Sequence, residues 1–259
     1  MSDIKSAQFR VLTCFAHPDD ETMFLGGTLA FLAQRGAEIH YLCATRGEGG
    51  EMGEPPICSR EDLGRIREEE LRCAVKALGG KSVKFLDYVD PLVGPDNELY
   101  PFSEDVEQVS AEISQYILRI NPDIILTHGP DGEYGHPAHI QAHQSVMSAL
   151  AALGNPVKSV YAPSWLSRDT GKFTPAPDIL VDVSPWKDIK LEAIQCHRSQ
   201  HGLFTRKSSE LAGRQVTIPE IVKTGEALCR ILPGNDMASE DQLATILMEI
   251  SVFEEKDHS

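Results

Sequence analysis

Short apolar runs alternate with longer stretches of helical periodicity along most of the chain, and this alternation restricts the fold more than any other feature. Phe9 to Phe15, Ile39 to Ala44, Val83 to Leu86 and Asp123 to Thr127 read as strands. The segments between and after them, Glu21 to Arg35, Arg60 to Leu78, Glu104 to Ile120 and His136 to Leu153, carry apolar residues at helical spacing. Ser159 to Ala162 and Ile179 to Val183 are further strand candidates. Strands separated by helices of this length form βαβ units, so an α/β fold with a mostly parallel, helix-covered sheet is expected. Gly26-Gly27, inside the first helix, is expected to mark a close-packing site. The last third is less regular. Pro175 and Pro177 break the chain, Trp186 to His197 and Ile218 to Leu228 read as helices, and Pro233 to Ser259 carries seven acids against one Lys, which suggests a solvated acidic helix.

Open parallel sheets bind their ligands beyond the carboxyl ends of the strands, so the strand-to-helix junctions are the places to search. None carries the G-x-G-x-x-G or G-x-x-x-x-G-K-[ST] pattern of nucleotide-binding loops. The net charge narrows the field further. With 24 Lys and Arg against 39 Asp and Glu, a formal −15, the chain repels phosphate backbones and anionic headgroups; nucleic acid and membrane surfaces are excluded as general partners. A small neutral or locally steered substrate fits better. No run of 18 apolar residues or signal-like start is present, so the cytoplasm is the expected compartment. Six scattered cysteines without a C-x-x-C pair read as reduced thiols. Any metal must then use His and carboxylate.

Two junctions share one construction. In the first, Phe15-Ala16-His17-Pro18-Asp19-Asp20-Glu21, proline suits the first turn of a helix and pushes the residue before it out of the α region. His17 should end the strand, Pro18 should open the helix, and Asp19 and Asp20 should lie in its first turn. After the fourth strand, a turn-rich loop from Thr127 to Gly135 leads into His136-Pro137-Ala138-His139, with the same imidazole-plus-proline start. Acids in a first turn are favoured by the exposed N–H groups alone. Two His and two Asp at separate strand ends are nonetheless a metal-ligand inventory. Two imidazoles and a carboxylate without thiolate suit zinc first, with iron, manganese or cobalt as substitutes. Of the adjacent pair Asp19-Asp20, one carboxylate can bind the metal while the other deprotonates water.

Ala16-His17-Pro18-Asp19-Asp20-Glu21 together with Gly135-His136-Pro137-Ala138-His139 resembles the LmbE-like, or PIG-L, family of metal-dependent N-deacetylases. Ala44 to Glu48, the helix containing Arg67-Glu68-Glu69-Glu70-Leu71, and Lys190 with His197 to Gln200 add support. The resemblance spans about residues 9 to 202. It divides the chain into a deacetylase core at 1–202 and a helical, acidic extension at 203–259 packed on, or continuing, the same domain. It implies a Rossmann-like sheet with helices on both faces and one zinc per chain held by His17, Asp20 and His139. It further implies Asp19 as general base, His136 as oxyanion stabiliser or proton donor, and Tyr134 near the reacting carbonyl. One position departs from the family: Ala138 stands where an Asp is common, which removes a carboxylate that can steady His136. Asp131 and Glu133 are candidates to replace it.

The implied reaction is removal of acetate from an N-acetylglucosamine-type sugar, a linear amide, with a small amino-sugar as the partner and a homo-oligomer as a further expectation. Protonated His136 would share the oxyanion with zinc. Arg46 is a candidate substrate clamp, and His197 a substrate-side residue. His128 and Asp131 are candidates for outer hydrogen bonds, and His143 for packing. Glycine- and proline-rich loops at Gly47 to Ser59 and Asp90 to Ser103 should set substrate choice. An amidase of a thiol-sugar conjugate, another metallohydrolase and a non-catalytic sugar-binding protein remain alternatives.

Overall fold

A computed structural model describes residues 9–166, 171–232 and 241–252. Its elements run β1 (Arg10–Phe15), α1 (Asp20–Gln34), β2 (Glu38–Thr45), α2 (Leu63–Ala77), β3 (Ser82–Tyr88), α3 (Val106–Ile120), β4 (Ile124–Thr127), α4 (Gly132–Gly135) and α5 (Pro137–Ala152). Then follow β5 (Ser159–Pro163), the short pair β6 (Trp165–Leu166) and β7 (Phe173–Thr174), β8 (Ile179–Asp182), α6 (Lys187–Cys196), α7 (His201–Ala212), α8 (Ile218–Ile221), β9 (Gly225–Leu232) and α9 (Gln242–Leu247).

The main sheet has seven strands in the order β3-β2-β1-β4-β5-β9-β8. The first five are parallel, whereas β9 is antiparallel to both β5 and β8. Alternation along the strands feeds two apolar cores. On β1, Val11 and Phe15 face one core while Leu12 and Cys14 face the other; on β2, Ile39, Tyr41 and Cys43 oppose Leu42 and Ala44. Helices α1, α2 and α6 cover the first face, and α3 and α5 the second. The chain order reverses direction between β1 and β4, and that crevice is where an open sheet accepts a ligand.

Gly26 and Gly27 mark close approach, as expected. A Cβ at Gly27 would overlap the Val183 side chain, and one at Gly26 would sit 3.2 Å from Lys190. Lys190 ends beside Glu226 at 2.6 Å, and the Glu226 carboxylate also accepts the Gly27 and Thr28 N–H groups, each at 2.8 Å. This buried clasp ties β9 to α1 and α6.

Three expectations are corrected. The helix expected over Ile218 to Leu228 is a single turn, α8, followed by strand β9. An apolar run as short as Ala227-Leu228-Cys229 reads equally as helix or strand, and pairing with β5 and β8 decides. Nor is the acidic end simply solvated. Leu243 and Leu247 of α9 are fully buried, and Asp241 caps that helix through the Leu243 and Ala244 N–H groups while accepting the Tyr161 hydroxyl at 2.7 Å. The acids at 236, 240, 254, 255 and 257 lie outside the described residues. Finally, the thiols are not all reduced: Cys73 on α2 and Cys196 on α6 form a disulfide, leaving Cys14, Cys43, Cys58 and Cys229 free. Two cysteines far apart in sequence gave no spacing signal; α2 lying against α6 brings their Cα atoms to 5.7 Å. Among the described residues no helix is long and apolar enough to cross a membrane.

Candidate metal centre and catalytic site

The first junction is tighter than its sequence suggests. Helix α1 begins at Asp20, not Pro18, and Asp19 precedes it with φ 114°, a left-handed conformation that side chains rarely adopt. Its carboxylate makes no capping bond to the helix. Instead Arg67 reaches in from α2, donating to Asp19 Oδ2 at 2.9 Å and to the carbonyls of Pro18 at 2.5 Å and Gly47 at 3.0 Å. Asp20 reaches back to accept the His17 N–H at 2.8 Å. Backbone strain of this kind persists where surrounding contacts over-determine it.

At the second junction, Pro137 opens α5 and His136 is its N-cap, as its sequence indicates. The His136 Nδ1 accepts the Ala138 N–H at 3.2 Å. Glu133, itself at φ 61°, is buried below. Its Oε2 lies 2.9 Å from His128 Nδ1 and 2.7 Å from His139 Nδ1, and its Oε1 accepts the Gly129 N–H. A carboxylate at Nδ1 fixes each ring with its lone pair on Nε2. For His128 that lone pair is taken by the Ala16 N–H at 3.0 Å. The Nε2 of His139 is buried and has no hydrogen-bond partner, 3.3 Å from Asp20 Oδ1.

Two overlapping groups of potential ligands meet here and share His139: His17 with His136, and Asp20 with His128. The donor set fits a divalent ion, because a buried imidazole nitrogen without a partner beside a carboxylate is costly unless a cation accepts it. His17, a member of the first group, also adjoins the second, with Nδ1 3.4 Å from Asp20, and its Nε2 lies 3.1 Å from Asp90. The expected trio His17, Asp20 and His139 is therefore brought together, with Asp19 adjacent.

The fields are strong. Burial opposes charge on His17, yet Asp90 and Asp20 push it up to about 10. Burial likewise opposes charge on Asp20, but His139 and His128 hold it well below the usual carboxylate range. Burial pushes Asp19 up to about 7 against the pull of Arg67, with Asp20 adding to the rise. His136 is driven down to about 3 by burial, with His17 and His139 adding repulsion. The protonated His136 expected from sequence is thereby replaced by a neutral ring. With Nδ1 accepting from Ala138, the proton of that ring belongs on Nε2.

A cavity of about 670 Å³ opens over these groups, with His17, Asp19, Asp20, Tyr134 and His136 in its lining. Tyr134 is 56% exposed there, its ring 5.9 Å from that of His136 and 5.4 Å from that of His139. Arg46 and His197 are not in that lining. Arg46 is spent on Glu68 and Asp87, each at 2.6 Å, and on the Phe85 ring, so it does not clamp a substrate. His197 is fully buried beneath the site, 3.4 Å from the Thr22 hydroxyl and 3.8 Å from Glu21, which removes it from the substrate side. His128 does bond the site loop, and His143 Nδ1 donates to the His128 carbonyl at 2.8 Å. Asp131 holds no imidazole: neither carboxylate oxygen has a partner among the described residues. Among the described residues no carboxylate bonds His136 in place of the one missing at Ala138, whose methyl is buried in the second core.

Arg67 was expected only as part of the motif that supports the family resemblance, and Asp90 only as the start of a loop that sets substrate choice; neither was assigned to the site. For Arg67 a signal existed, since it and Glu70 fall on the same helical face as Leu63, Leu71 and Ala74, a charged pair on a buried stripe. Asp90 follows β3 in that loop, and no spacing in the sequence pairs it with His17.

The family model described as PIG-L, GlcNAc-PI de-N-acetylase, matches residues 12–150. The probable N-acetyl-alpha-D-glucosaminyl L-malate deacetylase 2 of Bacillus anthracis is 33% identical over 203 residues, covering 78% of this chain and 84% of the relative. The 1D-myo-inositol 2-acetamido-2-deoxy-alpha-D-glucopyranoside deacetylase of Thermobifida fusca is 32% identical, covering 74% and 83%. Among solved structures, the 4-carboxy-2-hydroxymuconate hydratase GalB of Pseudomonas putida KT2440 matches with a TM-score of 0.63 at 22% identity, covering 90% of this chain and 99% of the hydratase. That last likeness is one of fold, which by itself leaves the reaction open. The match over residues 12–150 contains both His-Pro junctions, the two relatives extend it over most of the chain, and the chain belongs to the PIG-L family.

Proposed function

We propose that this protein is a metal-dependent amide hydrolase that removes the acetyl group from an N-acetylglucosamine-type substrate. The observation that carries the reading is a base beside a ligand set: Asp19, gripped by Arg67, adjoins His17, Asp20 and the unpartnered Nε2 of His139. Those three residues would hold one divalent ion, zinc first by donor type, with iron, manganese or cobalt as substitutes. The ion would supply Lewis acidity at the amide and lower the pKa of water there.

The chain's own groups do the rest. Asp19, held near neutrality by its burial, accepts a proton from the attacking water. It returns that proton to the amide nitrogen as the carbon–nitrogen bond breaks, so acetate and a free amine depart in balance. The Nε2–H of neutral His136 donates to the oxyanion, and the Tyr134 hydroxyl adds a second donor at the cavity mouth. Glu133 orients His139, and Arg67 fixes Asp19. The names of both relatives, each a deacetylase of a glucosaminyl compound, support the acetyl group and the sugar.

Acetate release from a panel of N-acetylglucosamine derivatives by the zinc-loaded protein tests this. Acetate and free amine in equal amounts are expected, with both lost in Asp19→Asn. A panel without turnover while zinc is bound overturns the assignment.

A further inference from the structure

Fourteen large apolar side chains stand exposed among the described residues, and six of them line the one cavity over Asp19: Leu92, Val93, Leu99, Tyr100, Tyr134 and Leu203. Scattered exposed leucines need no explanation, but a cluster inside a polar cleft does. Leu92 and Val93 are 60% and 51% exposed, and Leu203 is 49% exposed.

The wall is built, not incidental. The loop between β3 and α3 is tied down at its start, where the Asp90 N–H donates to Glu48 at 3.0 Å. Its end is pinned by Phe102, buried in the second core, and by Ser103, whose N–H donates to Gln141 at 3.1 Å. Inside, the Gly94 N–H donates to the Glu98 carbonyl, and the Tyr100 hydroxyl to the Glu98 carboxylate at 2.6 Å. A Cβ at Gly94 would overlap the Tyr100 ring, so that ring lies flush on the loop backbone. The apolar side chains are thus presented by an ordered frame, with their exposure fixed before anything binds.

The rest of the cavity is polar. Asp19, Asp20, Glu51 and Asp90 line it together with His17, Arg60 and Arg67, and Glu51 is paired with Arg206. Arg67 is engaged by Asp19, and Arg60 gives its Nη1 to the carbonyls of Glu48 and Gly50. The polar half, beside the ligand set, suits a sugar. The apolar half suits what the sugar carries.

Resting on the N-deacetylase reading above, we infer that Leu92, Val93, Leu99, Tyr100 and Leu203 form a subsite for an apolar aglycone. The substrate class is then an N-acetylated amino sugar bearing an alkyl, acyl or aryl group, not a carboxylate or polyol.

The test compares methyl and octyl N-acetylglucosaminides, below the micellar range of the octyl compound, with carboxylate- and polyol-bearing counterparts. Acetate release by the zinc-loaded protein is the first readout. We expect kcat/KM for the octyl compound to exceed that for the methyl compound by about 10-fold or more, and the ratio to collapse towards one in Leu92→Ser and Leu203→Ser. A wild-type ratio near one, or a 10-fold preference for the carboxylate or polyol compound, overturns the inference. Calorimetric binding separates this from failure of the hydrolase reading. If no compound is turned over, tighter octyl than methyl binding that Leu92→Ser abolishes still upholds the subsite, and equal binding overturns it. If instead Leu92→Ser splits a dimer in solution and leaves the octyl-to-methyl ratio intact, the wall belongs to a second copy and the inference falls.

Discussion

The guanidinium of Arg67 lies 2.9 Å from the Asp19 carboxylate, joining the second helix to the turn before the first in a pair that is almost wholly buried. The cation favours the ionised acid, so its loss must raise the pH at which Asp19 becomes a base. Arg67→Met is expected to move the acid limb of the kcat/KM profile upward by about one unit or more. It should also cost on the order of 3 kcal/mol in stability, because a buried charge loses its partner. A pH–rate profile and a urea titration check both.

Asp19→Asn keeps the shape and tolerates the left-handed backbone at φ 114° while losing the proton-accepting oxygen. Zinc content should remain at one per chain, and kcat should fall by about 100- to 10,000-fold. Metal analysis beside acetate assays distinguishes this from a ligand role, in which zinc would be lost.

Glu133 bonds both His128 and His139 through one oxygen. Glu133→Gln should weaken metal binding by about 10- to 100-fold, since the carboxylate fixes the ring that presents Nε2. Competition with a chromogenic chelator measures it.

The same residue shapes acid stability in the metal-free protein. Burial opposes its charge, yet His128 and His139 hold Glu133 at about 2 against an ordinary 4.5. A lowered acid contributes fully above its unfolded value, and that contribution is lost as pH falls from about 4.5 towards about 2. The fall in urea midpoint of metal-free protein between about pH 4.5 and about pH 2 should therefore be shallower in Glu133→Gln than in the wild type.

The disulfide between Cys73 and Cys196 closes a loop across 123 positions, linking the helix that holds Arg67 to the one that precedes Gln200 at the cavity. Reduction, or the paired change to serine, should lower stability by about 3 kcal/mol. Thermal melts with and without reductant are the check.

The sequence by itself determined the parallel part of the sheet, because short apolar runs followed by helical periodicity depend only on neighbours along the chain. It also marked both His-Pro junctions, whose residue types carry their chemistry in order, and Gly26-Gly27 as a contact point. Tertiary structure decided what depends on partners distant in sequence. Ala227 to Leu228 became strand because β5 and β8 flank it, and Cys73 met Cys196 because α2 lies on α6. Arg46 became an ion-pair residue, whereas Arg67, on the buried stripe of its helix, took the place beside Asp19. His139 was expected to hold the metal and His128 to supply an outer hydrogen bond. The physical reason lies in the folded chain, where the Ala16 N–H occupies Nε2 of His128 and leaves Nε2 of His139 without a partner.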